Sequence, residues 1–130
     1  MTTVTKNIII ADDEAAVRKP LNLLFSSAGY IVQLAENGER VQELLNNSLT
    51  PSAYDLLILD LDMPVMSGIE LLRYYQNTPS EIPPVLVISG TSKRTELEKM
   101  DFPIAGMLDK PFDFDELSTL VKQLLKENTN

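Results

Sequence analysis

Four groups of reactive side chains in this sequence each follow a short apolar run. They are Asp12 with Asp13, Asp60, Ser89 and Lys110. The carboxyl ends of parallel strands meet at one edge of an open sheet, so the four groups converge if the apolar runs are such strands. That edge would then hold three carboxylates, a hydroxyl and an ammonium group. Together these groups are suited to binding a divalent cation and accepting a phosphoryl group.

The predicted chemistry depends on the three carboxylates. Closely spaced carboxylates raise one another's pKa unless a hard divalent cation that prefers oxygen ligands lies among them, and Mg²⁺ fits that description. With the cation bound, Asp60 stays ionised and can attack phosphorus as a covalent nucleophile. Lys110, Ser89 and the cation can then share the negative charge of the transferred group.

Each group also has an ordinary structural explanation, which the sequence leaves open. Asp12 and Asp13 suit the cap and the first turn of a helix. Asp60 can be a loop residue, Ser89 part of a turn and Lys110 a solvated lysine. Their order favours a functional site, because the groups end successive predicted strands.

Apolar runs rich in β-favouring residues alternate with amphipathic segments, which predicts βα units around a parallel sheet and an α/β fold. The predicted strands are residues 8–10, 31–35, 56–59, 85–88 and 106–108. The predicted helices are residues 39–46, 69–76 and 93–100, together with the apolar stripes that begin at Val17 and Phe114. We expect Thr91 or Ser92 to cap the fourth helix and Asp113 to cap the last one.

The composition is that of one folded domain over residues 1–130. Of the 130 residues, 44% are hydrophobic and 23% are charged, a balance typical of a packed globule and not of a disordered tail. The absence of cysteine excludes a disulfide scaffold or a thiolate metal site. The net charge of −8 argues against direct binding of nucleic acid or an anionic membrane by this domain.

Two further observations bear on location and partners. Nothing resembles a signal peptide or the roughly 20 apolar residues that span a bilayer, so we expect a cytoplasmic protein without membrane contact. The sequence has no histidine. Any histidine that donates a phosphoryl group must therefore belong to another molecule.

Four motifs together resemble the receiver domain of two-component response regulators, as in the chemotaxis regulators. They are Ala11-Asp12-Asp13-Glu14, Leu59-Asp60-Leu61-Asp62-Met63-Pro64 with Gly68 following, Ile88-Ser89-Gly90 and Lys110-Pro111-Phe112. The resemblance covers residues 6–126 as a single domain. It implies a doubly wound, flavodoxin-like sheet of five parallel strands in the order 2-1-3-4-5, flanked by five helices.

The resemblance also implies a phospho-acceptor and a metal site. Asp60 would be the acceptor. Asp13, Asp60 and the backbone carbonyl of Asp62 would be direct Mg²⁺ ligands, and Asp12 would act through water. The donor would be a sensor histidine kinase or a histidine phosphotransfer protein, and the domain would be no enzyme beyond assisting its own phosphorylation and dephosphorylation.

The same resemblance implies a switch. Ser89 would be its hydroxyl, and Lys110 would bind the phosphoryl group ahead of a cis proline. The family usually has an aromatic residue three positions before the lysine, where this chain has the flexible Met107, which predicts looser coupling. Output would pass through the fourth helix, the last strand and the last helix to a downstream protein or a homodimer.

Three alternatives to a phosphorylated receiver share some of these motifs or the fold. Residues 59–65 also resemble the strand end of haloacid-dehalogenase phosphohydrolases, in which Asp60 would be the nucleophile and Asp62 the acid. That motif opens the hydrolase domain, whereas here an acidic pair precedes it. A flavodoxin-like FMN carrier would need a glycine- and hydroxyl-rich loop after the first strand. A receiver used only for docking would not need the full acceptor set.

Overall fold

The computed structural model describes residues 5–47, 53–78, 82–90 and 93–125, where five strands alternate with five helices. The strands are β1 (Asn7–Ala11), β2 (Ile31–Ala35), β3 (Leu56–Asp60), β4 (Val85–Ser89) and β5 (Gly106–Asp109). The helices are α1 (Ala15–Ser27), α2 (Gly38–Asn46), α3 (Gly68–Tyr75), α4 (Arg94–Met100) and α5 (Phe114–Leu125). The alternation predicted from the sequence is confirmed.

All five strands are parallel and form one sheet in the order β2-β1-β3-β4-β5. This confirms the predicted fold class and strand order. β3 and β4 are buried along their whole length, as expected for apolar strands covered on both faces. Asp60 pairs with Ile88 and Ser89 pairs with Asp109. The register therefore brings the reactive groups to one edge of the sheet.

Alternate side chains of the strands enter two hydrophobic layers, one on each face of the sheet. Ile8 and Ile10 pack in the layer that α1 and α5 cover. Ile9 and Leu57 pack in the other layer, with α2, α3 and α4. Both layers are formed by residues distant in sequence. The positions of the reactive groups at the sheet edge therefore depend on the packing of the whole core.

Local signals set the starts of three helices. The side chain of Asn37 accepts a backbone N–H at the start of α2. Ser67 and Glu70 form a reciprocal capping box at the start of α3. Asp113 Oδ1 accepts the N–H of Asp115 at 2.7 Å at the start of α5, which confirms the predicted cap.

Four strands run one residue further at their carboxyl ends than predicted, so that Ala11, Asp60, Ser89 and Asp109 are strand residues. The reason is that a ladder needs only backbone groups, and its pairing continues after the apolar side chains end. The predicted caps Thr91 and Ser92 lie outside the described residues. Among the helices described, none has both the length and the apolar character needed to cross a bilayer.

Candidate functional site

Three carboxylates meet at the carboxyl edge of the sheet, beside the ends of β1 and β3. Asp12, Asp13 and Asp60 each place one carboxylate oxygen within 4.8 Å of the others. Asp12 is completely buried, Asp60 is 3% exposed and Asp13 is open to solvent. The acidic cluster predicted from the sequence is therefore present, with two buried members.

Lys110 reaches this cluster from the end of β5. Its Nζ lies 2.6 Å from Asp12 Oδ2, 3.2 Å from Asp60 Oδ2 and 3.6 Å from Glu14 Oε1. Burial alone would lower the pKa of Lys110, but its contacts with Asp12 and Asp60 outweigh burial and raise the pKa. The lysine is thus a charged group held among carboxylates. The peptide bond between Lys110 and Pro111 is cis, as the resemblance implied.

The carboxyl group of Asp60 has a pKa raised to about 6. Burial is the main cause and repulsion from Asp12 adds to it. The N–H of Asp62, 3.2 Å from Asp60 Oδ1, and the ammonium of Lys110 both oppose the rise. Further positive charge at this site would favour the ionised form of Asp60, which is the nucleophilic one.

Ser89 ends β4 and is 1% exposed. Its hydroxyl donates to the carbonyl oxygen of Gly90 at 2.7 Å. Its own carbonyl accepts the N–H of Lys110 at 2.8 Å, which ties the end of β4 to the end of β5. Ser89 therefore lies at the predicted edge, with its hydroxyl proton directed at the backbone.

Two predicted site residues lie outside the carboxylate cluster. The side chain of Asp62 is exposed, and the clustered carboxylates do not include it. Met107 is partly buried in β5, where it packs against the layer covered by α2, α3 and α4. It also lines a surface groove of about 460 Å³, together with Arg94 and Asp109. Met107 thus lies on the face of the sheet that α4 helps to cover and borders a groove that Arg94 of α4 also lines.

Two residues beside the cluster were not predicted from the sequence. Glu14 is the third acidic contact of Lys110. Arg18 lies in the first turn of α1, and its Nη1 donates to the backbone carbonyl of Asp12 at 2.8 Å. This hydrogen bond fixes the backbone at Asp12. The spacing of Glu14 and Arg18 predicts a shared helix face. It contains no signal that Arg18 turns back to the backbone of Asp12.

The donor set fits a magnesium ion. Asp12 and Asp60 are buried and share the one ammonium of Lys110, so the described residues place more negative than positive charge within the cluster. Mg²⁺ takes oxygen ligands and keeps several waters. A cluster of carboxylates with one open member, Asp13, meets both requirements.

Comparison with known sequences identifies similar proteins. A family profile described as the response regulator receiver domain matches residues 8–122. The response regulator MprA of Mycobacterium sp. (strain KMS) is 30% identical over 122 residues, which cover 94% of this chain and 51% of MprA. The regulatory protein AtoC of Escherichia coli (strain K12) is 30% identical over 124 residues, which cover 95% of this chain and 26% of AtoC. The chain thus spans about half the length of MprA and less of AtoC.

Solved structures are similar over nearly the whole chain. A response regulator receiver protein from Pseudomonas putida matches with a TM-score of 0.80 and 26% identity, covering 94% of this chain and 99% of that one. The receiver domain of the Francisella response regulator 1452 matches with a TM-score of 0.80 and 26% identity, covering 95% and 99%. In both cases the likeness extends over nearly all of the two chains.

Proposed function

Because this chain belongs to the response regulator receiver family, whose members are signalling domains generally phosphorylated on aspartate, we propose that Asp60 accepts the phosphoryl group. The position of Lys110 carries this proposal, since its ammonium contacts the buried carboxylates of both Asp12 and Asp60. A nucleophile and a cation able to bind a phosphoryl oxygen thus meet at one edge of the sheet. We further propose that residues 6–126 act as a single receiver domain.

The proposed reaction is transfer from a histidine of another protein. An oxygen of Asp60 forms a bond to phosphorus while the P–N bond to the donor imidazole breaks. The imidazole leaves with the electron pair of that bond and takes up a proton, and Asp60 becomes an acyl phosphate. Lys110 then binds a phosphoryl oxygen in place of the Asp60 carboxylate, and its charge offsets the charge on the transferred group.

We assign the metal site to Asp12, Asp13, Asp60 and the backbone carbonyl of Asp62, with Asp12 acting through water. Bound Mg²⁺ would supply positive charge that keeps the carboxylates ionised and offsets the charge of the phosphoryl group. The crowding of three carboxylates, two of them buried and both in contact with the single ammonium of Lys110, supports this assignment. The raised pKa of Asp60 is consistent with this assignment, because bound Mg²⁺ would offset the effects of burial and of Asp12 that raise it.

We propose that Ser89 passes the change to the surface formed by α4, β5 and α5. When the hydroxyl turns to a phosphoryl oxygen, it gives up its bond to Gly90 and the chain leading to α4 can shift. α4 is suited to move because Leu97 is the one buried residue among its seven. An ion pair between Arg94 and Asp109 joins the start of α4 to the end of β5.

The expected partners follow from the donor chemistry. Since the chain has no histidine, a sensor histidine kinase or a histidine phosphotransfer protein would supply the phosphoryl group, as is general for response regulators. The phosphorylated domain would then bind a downstream protein or a second copy of the chain.

Phosphorylation with acetyl phosphate tests the acceptor assignment. Intact-mass measurement should show one added phosphoryl group in the presence of Mg²⁺ and much less in the presence of a chelator. Asp60→Asn should abolish the gain, whereas Asp115→Asn, which neutralises an exposed acid on α5, should not. Equal labelling of Asp60→Asn and the unaltered protein would overturn the assignment.

The family match favours the receiver over a haloacid-dehalogenase hydrolase, and the two differ in turnover. A receiver should hold its acyl phosphate for many seconds and should not turn over phosphomonoesters. Repeated hydrolysis of an aryl phosphate, lost in Asp62→Asn, would favour the hydrolase.

A further inference from the structure

The loop that joins β3 to α3, residues 61–67, is held at its α3 end by Gly68. We call residues 61–67 the acceptor loop. The N–H of Gly68 donates to the carbonyl of Leu61 at 3.1 Å. A Cβ atom at Gly68 would lie 2.3 Å from the carbonyl oxygen of Asp60 and 2.8 Å from Cα of Leu61. The start of α3 therefore packs directly on the backbone of Asp60, at a distance that only glycine allows.

A second glycine holds the acceptor loop from α2. The N–H of Gly38 donates to the carbonyl of Met66 at 2.7 Å. A Cβ atom at Gly38 would lie 2.8 Å from that oxygen and 2.9 Å from Cγ of Met66. Gly38 lies 22 positions before Asp60 in the sequence, yet it fixes the far half of the loop that leaves Asp60.

Between these two contacts the backbone adopts an unfavourable conformation at Val65. Its φ is +66°, in the left-handed region that β-branched residues rarely adopt. The N–H of Met66 donates to the carbonyl of Pro64 at 2.7 Å and closes a three-residue turn around Val65. Val65 is 73% exposed, so core packing does not compensate for the strain. Such strain persists where the surroundings determine the conformation, and this happens mostly at functional sites.

We propose that Gly38 is a positioning residue for the magnesium site, acting through the carbonyl of Met66 and the acceptor loop. The inference rests on the proposed function, in which the carbonyl of Asp62 is a metal ligand. Asp62 is the second residue of the acceptor loop, and its N–H donates to Oδ1 of Asp60. Displacement of the loop at Met66 would therefore be transmitted to Asp62, and small displacements of a ligand weaken a site of defined geometry.

Gly38→Ala tests the inference on the whole chain. Its Cβ must push the carbonyl of Met66 away, and we expect Mg²⁺ affinity measured by calorimetry to fall about tenfold, as for the loss of other supports of metal ligands. Gly29→Ala is the matched control, because Gly29 has a φ of +101° and no atom within 4 Å of a Cβ. It should lower the midpoint of thermal unfolding through backbone strain without altering Mg²⁺ affinity.

Rescue distinguishes positioning from loss of stability. In the Gly38→Ala background, Val65→Gly relaxes the strained turn, so that the displacement is absorbed at position 65 and not transmitted to Asp62. We expect the double variant to recover part of the lost Mg²⁺ affinity. Affinity in Gly38→Ala equal to that in Gly29→Ala would overturn the inference. So would an affinity loss in Gly38→Ala that Val65→Gly leaves unchanged.

If Gly38→Ala does not fold, a measurement on the unaltered protein tests whether Gly38 is coupled to the magnesium site. Titration with Mg²⁺ should slow hydrogen exchange of the Gly38 amide, because a better ordered loop holds its hydrogen bond to Met66 more firmly. The Gly29 amide should not respond. No response at Gly38 in a protein that binds Mg²⁺ would overturn the inference alone, whereas absence of Mg²⁺ binding would overturn the proposed metal site together with it. Failure of Asp60 to be labelled, with Mg²⁺ binding intact, would contradict only the acceptor assignment.

Discussion

Nζ of Lys110 lies 3.2 Å from Oδ2 of Asp60, although 50 positions separate the two residues in the chain. The same ammonium lies 2.6 Å from Oδ2 of Asp12, which is completely buried. Before any phosphoryl group arrives, the lysine is therefore the counter-ion of two buried carboxylates. This double role makes its removal informative for both stability and metal binding.

Lys110→Met should lower the free energy of unfolding by about 2 kcal/mol in the absence of Mg²⁺, because it leaves buried carboxylates without a counter-ion. Added Mg²⁺ should restore part of that loss, since the cation takes over the neutralising charge. Urea unfolding with and without Mg²⁺ measures both effects. An identical loss under the two conditions would show that Lys110 and the metal do not share these carboxylates.

The raised pKa of Asp60 predicts a specific pH dependence of stability. The pKa is about 6 in the folded protein against an ordinary value of 3.8, so the folded state favours the protonated form. The resulting stabilisation is present below about pH 4 and is lost as the pH rises through about 6, with a size up to about 3 kcal/mol. As the pH rises across this range, the free energy of unfolding of the unaltered protein should therefore fall relative to that of Asp60→Asn. Mg²⁺ should reduce the change because it favours the ionised form.

The ion pair between Arg94 and Asp109 predicts a change in the mobility of α4. Asp109→Asn removes the partner of Arg94 at the start of α4, and an exposed pair contributes about 0.2–1 kcal/mol. Hydrogen exchange of residues 94–100 should therefore rise by a factor of up to about five. Asp115→Asn should leave α4 unchanged. Equal exchange of α4 in all three proteins would show that the pair does not hold the helix.

Met107→Tyr should enlarge the structural change around α4 and β5 that accompanies activation. Met107 is flexible and borders a groove of about 460 Å³ between α4 and β5, so that several rotamers have similar energy. A ring at this place should occupy two distinct positions, and amide chemical-shift differences on adding beryllofluoride should grow around α4 and β5. The phosphorylation rate and the stability should change little, the latter by less than about 1.5 kcal/mol. Unchanged shift differences would leave Met107 as a packing residue alone.

The strand segments were readable from the sequence because their signals are local, whereas the order of the strands followed only from the resemblance to receiver domains. The apolar run at residues 56–59 and the one at residues 85–88 are continuous, which is typical of strands covered on both faces. The placement of Asp60 and Lys110 at strand ends could then be predicted, because all parallel strands of one sheet present their carboxyl ends at the same edge. The last strand residues were missed, since backbone pairing continues after apolar side chains end.

The tertiary structure alone decided which groups touch within that edge. The contact of Lys110 with both Asp12 and Asp60, the turn of Arg18 back to Asp12 and the bond from Gly38 to Met66 join elements that the sequence separates. Such contacts depend on the relative placement of helices and strands within a close-packed core, to which all elements contribute at once. A motif specifies residue types near a strand end, whereas the packing of the whole chain sets the distances between them.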